Sequence, residues 1–588
     1  MPLAQRPEDI SAIAFQEGVV AYFSMEIALS PAIPTYSGGL GVLAGDTLRS
    51  AADLGAPVCA VTLLHRKGYF RQHLDRSGSQ TDEEQPWEIE KLLELEEPVV
   101  EITLEGRPVR IRAWRYELEG VTGHIVPVYM LDTDLAENDP RDRRLTDFLY
   151  GGDSDYRLRQ EAILGLGGFR FLQAQGLEIH VYHMNEGHAA LLTAALMSQE
   201  LGGQLQRNPE ERERQAVRSR CVFTTHTPVP AGHDRFGIDQ TERILGHELT
   251  GLIERMGGCR EGMLNMTYLA LSSSRFVNGV AMQHGKISRA MFPEYRIEAI
   301  TNGVHAATWM APSMQAIADR NFPLWRTDNV QLRYFIGVSA SEIAKAHEES
   351  KAKLIQEVAT RTGVSLRSDF FTIGFARRVA TYKRADLLFA DPERLLRSAA
   401  NFGGLQIIYA GKAHPHDDPA KDLIRRIFQI ASEIRSEALK IVFLENYEWQ
   451  LGALLTSGVD LWLNTPARPY EASGTSGMKA ALNGVPSLSI LDGWWLEGCI
   501  DGFTGWSIPD GESREAEAAS LYNRLESTVL PLYYGRRDAW NEVMCSTLAL
   551  NGSFFNTHRM LQQYMANAYY PEKNLNVSAA ALESVLAR

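Results

Sequence analysis

The chain has 588 residues, 45% hydrophobic and 22% charged, with a formal net charge of −14 at pH 7 and a pI near 5.6. At roughly 100–200 residues per domain this makes about three or four ordinary domains, or two large α/β ones. The acidic balance excludes a nucleic-acid or anionic-membrane partner as an expectation, while leaving room for a local basic pocket. Cys59, Cys221, Cys259, Cys499 and Cys545 are scattered and never form a CxxC, so neither a disulfide framework nor structural zinc is expected and a reducing, cytoplasmic setting suits the chain. The opening MPLAQRPEDI is polar and carries acids, unlike a signal peptide. No run approaches the ~18 apolar residues of a membrane span.

Val19 to Leu29 reads as a strand broken by Pro31 and Pro34. Ser37-Gly38-Gly39-Leu40-Gly41 follows, then a helix with Leu43, Ala44, Leu48, Ala51 and Leu54 at helical spacing, closed by Gly55, and a strand from Val58 to Leu64. This is a βαβ pattern whose glycine loop opens the helix, a candidate cradle for an anion or sugar and equally an ordinary tight turn. Around Glu105-Gly106, alternating Val100, Ile102, Leu104 and Val109, Ile111, Ala113 predict a hairpin, read as an insertion at 66–130 in a first domain. Residues 133–160 are charged, predicting loop and a helix start. A helix from Gln160 to Ala174 precedes a buried strand, Ile179 to Met184, ending in Asn185-Glu186-Gly187-His188. His183, Glu186 and His188 lack HExxH spacing, so hydrogen bonding rather than metal binding is expected of them. The EERER run near 203–217 reads as the exposed end of a helix. Val222 to Thr225 is a strand leading to His226-Thr227-Pro228. Leu264 to Phe292 repeats at helical spacing, and Ile297 to Thr301 is a strand ending in Asn302-Gly303-Val304-His305.

The rhythm restarts after Trp309. Phe370 to Phe375 is a strand followed by Arg377, Arg378, Lys383 and Arg384. On a helix Arg377 or Arg378 and Lys383 would face one pocket, although a solvated basic helix start fits the local residues too. Placement just after a strand favours phosphate, since Arg gives bidentate contacts and Lys a point charge. Leu405 to Ala410 and Ile441 to Leu444 are strands leading to Gly411-Lys412-Ala413-His414 and Glu445-Asn446-Tyr447. His414, His416, Asp417 and Asp418 are expected on a surface loop. Val459 to Leu463 is a strand, then comes the loop Ala472-Ser473-Gly474-Thr475-Ser476-Gly477, a short helix from Met478 to Leu482, and a strand from Val485 to Leu491. Such a loop offers free N–H groups to a phosphate. Lys479, placed in the first turn of that helix, would oppose the helix dipole, suggesting a phosphate partner or a Schiff base, although a plain βα turn with a surface lysine fits the local residues too. Phe554 to Ala568 predicts an amphipathic helix started by Asn556-Thr557, with a short helix after it.

Each polar cluster follows a predicted strand, where open α/β sheets place ligands. Domains are expected at 1–305, 306–550 and 551–588, the last as helices packing back on the first.

Taken in order, GGLG at 38–41, NEGH at 185–188, THT at 225–227, NMTYLALSSSRFVNGVAMQH at 265–284, TNG at 301–303, ARRVATYKR at 376–384, AGKAH at 410–414, FLENY at 443–447 and EASGTSGMK at 471–479 with its LNG and LDG resemble the α-glucan (glycogen, starch, maltodextrin) phosphorylases. The resemblance covers almost the whole chain. It implies two Rossmann-like domains facing across a cleft, the glycosyltransferase-B architecture, with pyridoxal 5′-phosphate (PLP) at the cleft. It also implies phosphorolysis of α-1,4-glucan ends by inorganic phosphate to glucose 1-phosphate, with retention at the anomeric carbon and the cofactor's 5′-phosphate relaying a proton. Carried over residue by residue, Lys479 would hold PLP as a Schiff base. Thr475, Ser476 and Arg377 would hold the cofactor phosphate, and Tyr447 would line the pocket. Arg378, Lys383 and the Gly39–Leu40 backbone would bind substrate phosphate. Glu471, Ala472, Ser473, Gly474, Asn302 and the His226 carbonyl would grip glucose hydroxyls, with His188 near the sugar. No metal is implied, and a homodimer is left open.

The chain departs from the family pattern at Arg377, where better-known members have Lys, at Ser476-Gly477 in place of Gly-Asn, at Thr225 where many have Asn, and at Trp494-Trp495 in place of small residues. GGLG lies close to the start, so no regulatory arm, phosphorylation switch or allosteric control is expected. Two other readings share some motifs: a retaining nucleotide-sugar glucosyltransferase of glycogen-synthase type, which has GGLG and the Asn302–Trp309 pattern but no PLP, and a catalytically silent glucan-binding relative.

Overall fold

The computed structural model describes residues 18–229, 232–509, 511 and 513–571; the short last helix expected from the sequence lies outside them. The protein is α/β, built on parallel sheets. The described chain divides into two compact units. The first takes in residues up to Tyr69, Gln85–Thr301 and those from His558; the second takes in Phe70–Glu84 and Asn302–Thr557. Among the described residues no helix is long and apolar enough to cross a membrane.

The first unit is organised on a ten-stranded sheet. Val19–Ser24 lies at its centre, with Val58–Leu63 parallel on one side and Ile179–Asn185 parallel on the other. Cys221–Thr224, Phe276–Gly279 and Glu298–Ala299 continue one flank. VCAVTL is buried along its whole length, as a strand covered on both faces must be, and each fully buried aliphatic side chain contributes about 1.5–3 kcal/mol.

The region 66–130 differs from the expected insertion. Its hairpin forms, Val100–Leu104 against Arg107–Glu119, with Glu105 and Gly106 at φ 52° and 71°, the left-handed pair that a tight hairpin turn needs. Arg107–Glu119 then pairs antiparallel with Ile125–Asp132, a strand that runs parallel beside Val58–Leu63, so both extend the main sheet. Phe70–Glu84 belongs to the second unit instead. The long helical pattern from Leu264 to Phe292 is likewise cut, by the strand Phe276–Gly279 between helices Met266–Ser272 and Met282–Met291.

The C-terminal turns cover this sheet. Met560, Leu561, Tyr564, Ala568 and Tyr569 join its core. The Tyr569 hydroxyl meets His183 Nδ1 at 2.6 Å, His183 Nε2 meets Thr224 Oγ1 at 2.8 Å, and the Tyr564 hydroxyl accepts from Asn278 Nδ2 at 2.9 Å.

The second unit carries six parallel strands: Leu439–Leu444, Leu405–Ala410, Phe371–Ala376, Leu461–Asn464, Ser487–Ile490 and Gly505–Ile508. Counted along the chain this is the order 3-2-1-4-5-6. It reverses between Phe371–Ala376 and Leu461–Asn464, and the carboxyl ends of strands at such a reversal are where open α/β sheets place ligands. The hairpin Arg71–Leu74 and Gln80–Glu83 is tied to this sheet by Gln72 and Asn446, which exchange hydrogen bonds of 3.2 and 2.8 Å, and by Gln80 Nε2 on Ala413 O at 2.9 Å.

Candidate functional site

In the second unit two of the sequence-predicted cations, Arg377 and Lys383, converge on one carboxylate where the strand order reverses. Arg377 follows Ala376 directly, and Glu471 lies in the loop after Asn464. Arg377 Nη2 donates to Glu471 Oε2 at 2.6 Å and Nη1 to Asn464 Oδ1 at 3.1 Å; Lys383 Nζ stands 3.3 Å from the same Glu471 oxygen. All three charged groups are buried, at 8%, 8% and 9% exposure. Burial pushes the Glu471 carboxyl up, but Arg377 and Lys383 outweigh it and hold the group below its usual range. Two cations share one carboxylate, leaving positive charge in excess.

The segment 376–384 is not the expected helix. It is a loop with one tight turn, Thr381–Lys383, because Val379 is drawn into a bridge with Ala413, its N–H bonding Lys412 O at 2.9 Å, and Arg384 takes φ 47°. Arg378 is exposed, beside His414, whose proton affinity burial and the charges of His416 and Arg378 reduce.

Gly474, at φ +87°, turns the chain into a helix spanning Thr475–Ala481. The helix begins earlier than the sequence suggests, so Lys479 lies in its last turn, where a cation favours the dipole; the expected conflict is absent. Lys479 is 6% exposed, its ammonium 3.6 Å from the centroid of the Trp309 ring, and Trp309 stacks on Trp449 at 5.7 Å. Asn483 fixes this arrangement: Nδ2 donates to Trp309 O at 2.9 Å and Lys479 O at 3.0 Å, and Oδ1 accepts from Ala311 N–H at 2.7 Å. Ser476 Oγ accepts from Trp462 Nε1 at 3.2 Å. Tyr447 is pushed up to about 12 by burial, against the opposing charge of Arg377. Thr475 opens the helix, Ala472 is half-buried, and Asn302 is buried beside Gly303; a Cβ on Gly303 would come within 2.2 Å of Asn556 C. Among the described residues the buried Ser473 Oγ and Arg377 Nε have no hydrogen-bond partner.

Asp492 anchors the loop from behind, Oδ2 accepting from Glu471 N–H at 3.0 Å and Oδ1 from Gly493 N–H at 2.9 Å. Trp494 and Trp495 are 3% and 1% exposed, packed within this unit, Trp494 against Phe555 at 4.8 Å.

In the first unit the equivalent reversal falls at Val19–Ser24, between its two parallel neighbours. Glu26 follows one strand end and Glu186 and His188 the other. Gly39 and Leu40 open the helix Gly39–Asp53. Glu186, at φ 73°, accepts from His226 N–H at 2.8 Å and Thr227 Oγ1 at 3.0 Å, and His226 Nε2 meets Asn185 Oδ1 at 2.7 Å. His188 Nε2 is 3.5 Å from Asp234 Oδ2. Burial first, then Arg157, push His188 down to about 3; burial likewise takes His226 to about 3. In the second unit, Asp417 caps the helix Asp418–Glu433 by accepting from Ala420 N–H at 3.0 Å.

Sequence reasoning missed Asn464, Asp492 and Asn483 as supports, and Glu26, Tyr150 and Asp234 in the first unit. Glu26 had a signal: it is an acid inside the apolar run Val19–Leu29. The others are single polar residues whose partners are remote in sequence.

Comparison with known proteins places these motifs in a wider set. A family model described as carbohydrate phosphorylase matches residues 250–498. Maltodextrin phosphorylase of Thermococcus litoralis is 39% identical over 94% of this chain and 70% of its own length. Glycogen phosphorylases of Mycobacterium tuberculosis and Aquifex aeolicus are 36% and 32% identical, over 96% and 94% of this chain and 72% and 86% of theirs.

Proposed function

The chain belongs to the carbohydrate phosphorylase family, and from that premise we propose that it is an α-1,4-glucan phosphorylase, transferring the terminal glucose of maltodextrin or glycogen to inorganic phosphate. The product is glucose 1-phosphate, with retention at the anomeric carbon. The observation that carries the reading is the buried Arg377–Glu471–Lys383 cluster at the strand-order reversal, in a chain that matches glucan phosphorylases along nearly its whole length.

The residues present fit PLP. Lys479 is a buried amine against an aromatic ring, and Arg377 Nε is a buried donor with no hydrogen-bond partner among the described residues. Lys479 would hold the cofactor, with Thr475, Ser476 and Arg377 on its phosphate and Tyr447 along its ring. When bound, PLP supplies a second phosphate able to relay a proton to the substrate phosphate.

Arg378, Lys383 and the Gly39 and Leu40 amides bind the substrate phosphate in this reading. Glu471, Ala472, Ser473, Gly474, Asn302 and the His226 carbonyl orient glucose hydroxyls. Excess buried cationic charge makes two neighbouring phosphates tolerable and opposes charge separation at the breaking glycosidic bond. His188, neutral at physiological pH, acts as a hydrogen-bonding partner to the sugar rather than an acid. Burial of Arg377, Lys383 and Glu471 keeps water from that cluster, which favours phosphorolysis over hydrolysis.

Incubation of the full chain with maltodextrin and inorganic phosphate tests the proposal, with glucose 1-phosphate as readout. The purified protein should carry cofactor absorbance that Lys479→Ala removes together with activity. Turnover of ADP-glucose with no phosphate dependence and no cofactor would overturn it.

A further inference from the structure

Glu26 is 2% exposed at the carboxyl end of the central strand of the first sheet, and both of its oxygens are occupied by donors. Oε2 accepts from Ser37 N–H at 2.5 Å and Gly38 N–H at 3.3 Å; Oε1 accepts from the Ser37 hydroxyl at 3.1 Å and the Tyr150 hydroxyl at 2.9 Å. The carboxylate presses on one side of the glycine turn, since a Cβ on Gly41 would come within 2.7 Å of Oε2. The other side is open: a Cβ on Gly38 or Gly39 would meet nothing within 4 Å. The first amides of the helix Gly39–Asp53 have no partner within the helix itself.

Tyr150 carries a second mark. It is a bulky aromatic at φ 55°, a conformation that persists only where the surroundings enforce it. Its hydroxyl is held by Glu26, the Arg157 guanidinium lies 4.6 Å over its ring, and its edge faces His188 at 6.1 Å. Arg157 in turn donates to Asp234 at 3.0 Å, the acid beside His188.

We propose that Glu26 is the positioning residue of the Ser37–Leu40 turn, held in place by Tyr150, and that it fixes the Gly39 and Leu40 amides in the orientation that receives inorganic phosphate. This rests on the phosphorylase reading. A carboxylate is needed because four donors converge on two acceptor oxygens. An amide would offer one oxygen and turn an N–H against the remaining donors.

Full-length wild type, Glu26→Gln and Tyr150→Phe are compared in two measurements. In phosphorolysis kinetics, Glu26→Gln should raise KM for inorganic phosphate by about 10- to 100-fold and Tyr150→Phe by about 3- to 10-fold, the scale for losing a support behind a binding group. KM for maltodextrin should stay within about twofold, because the displaced turn does not bind glucose hydroxyls. In hydrogen exchange read by mass spectrometry, the segment 37–41 should exchange faster in Glu26→Gln. A phosphate KM that does not move, or both KM values rising together, overturns the role of Glu26. A wild type that releases no glucose 1-phosphate overturns the phosphorylase reading; exchange at 37–41 then decides alone, and unchanged exchange overturns the clamp.

Discussion

Trp494 lies over the Cα of Gly477 so closely that a Cβ there would stand 2.7 Å from Cζ2 of the indole. Two of the places where the chain departs from its family pattern, Ser476-Gly477 and Trp494-Trp495, are thus one packing arrangement: the indole fills the space that a side chain at 477 would take. Gly477→Ala should lower stability by about 1–3 kcal/mol through overpacking, and Trp494→Leu in the same chain should recover part of that loss, read as thermal midpoints of the four proteins of a double-mutant cycle.

Glu471 is the shared partner of two buried cations. Glu471→Gln removes the charge and keeps the shape, leaving Arg377 and Lys383 facing a neutral amide. The loss should be about 3–5 kcal/mol in urea unfolding, the range for a buried pair deprived of one member. Phosphorolysis should fall by at least about 100-fold, since the same group serves the glucose hydroxyls in the proposed reaction.

Asp492 gives a pH signature. Burial pushes its carboxyl up to about 6 against the two backbone N–H groups that it accepts. The folded state therefore binds this proton more tightly than the unfolded chain. Ionisation costs stability above pH ~6, and the cost fades as the pH falls toward the ordinary aspartate value. Asp492→Asn abolishes this titration. Relative to wild type, the variant should lose less stability between about pH 5 and pH 7, measured as the shift in urea midpoint over that window.

Asn483 bonds both the Lys479 and Trp309 carbonyls. Asn483→Ala removes both of these hydrogen bonds and the one from the Ala311 N–H, with an expected loss of about 2–4 kcal/mol. It should also speed release of the cofactor in the holoenzyme, followed as decay of its absorbance during dialysis.

Much of the sheet was legible because buried parallel strands read as short apolar runs: LQIIYA and VCAVTL need no partner information. The same logic failed at Phe276–Gly279, where the short apolar run sits between two helices and merges with their spacing. It failed at Arg377–Lys383 because the pull of Lys412 and Ala413 on Val379 is tertiary, invisible in the segment's own composition. Most site residues carried local signals, as glycine turns and clustered cations. Their supports did not. Asp492 and Asn483 are lone polar residues between apolar ones, and only the folded chain shows which backbone groups they satisfy.

The first unit also depends on the end of the chain in a way that bears on its birth. Tyr569 meets His183 across 386 positions and Tyr564 meets Thr224 across 340, whereas every strand of the second sheet lies between Phe371 and Ile508. A ribosome therefore releases the N-terminal sheet long before its covering tyrosines exist. The core of the first unit is therefore completed only after every strand of the second sheet has been synthesised.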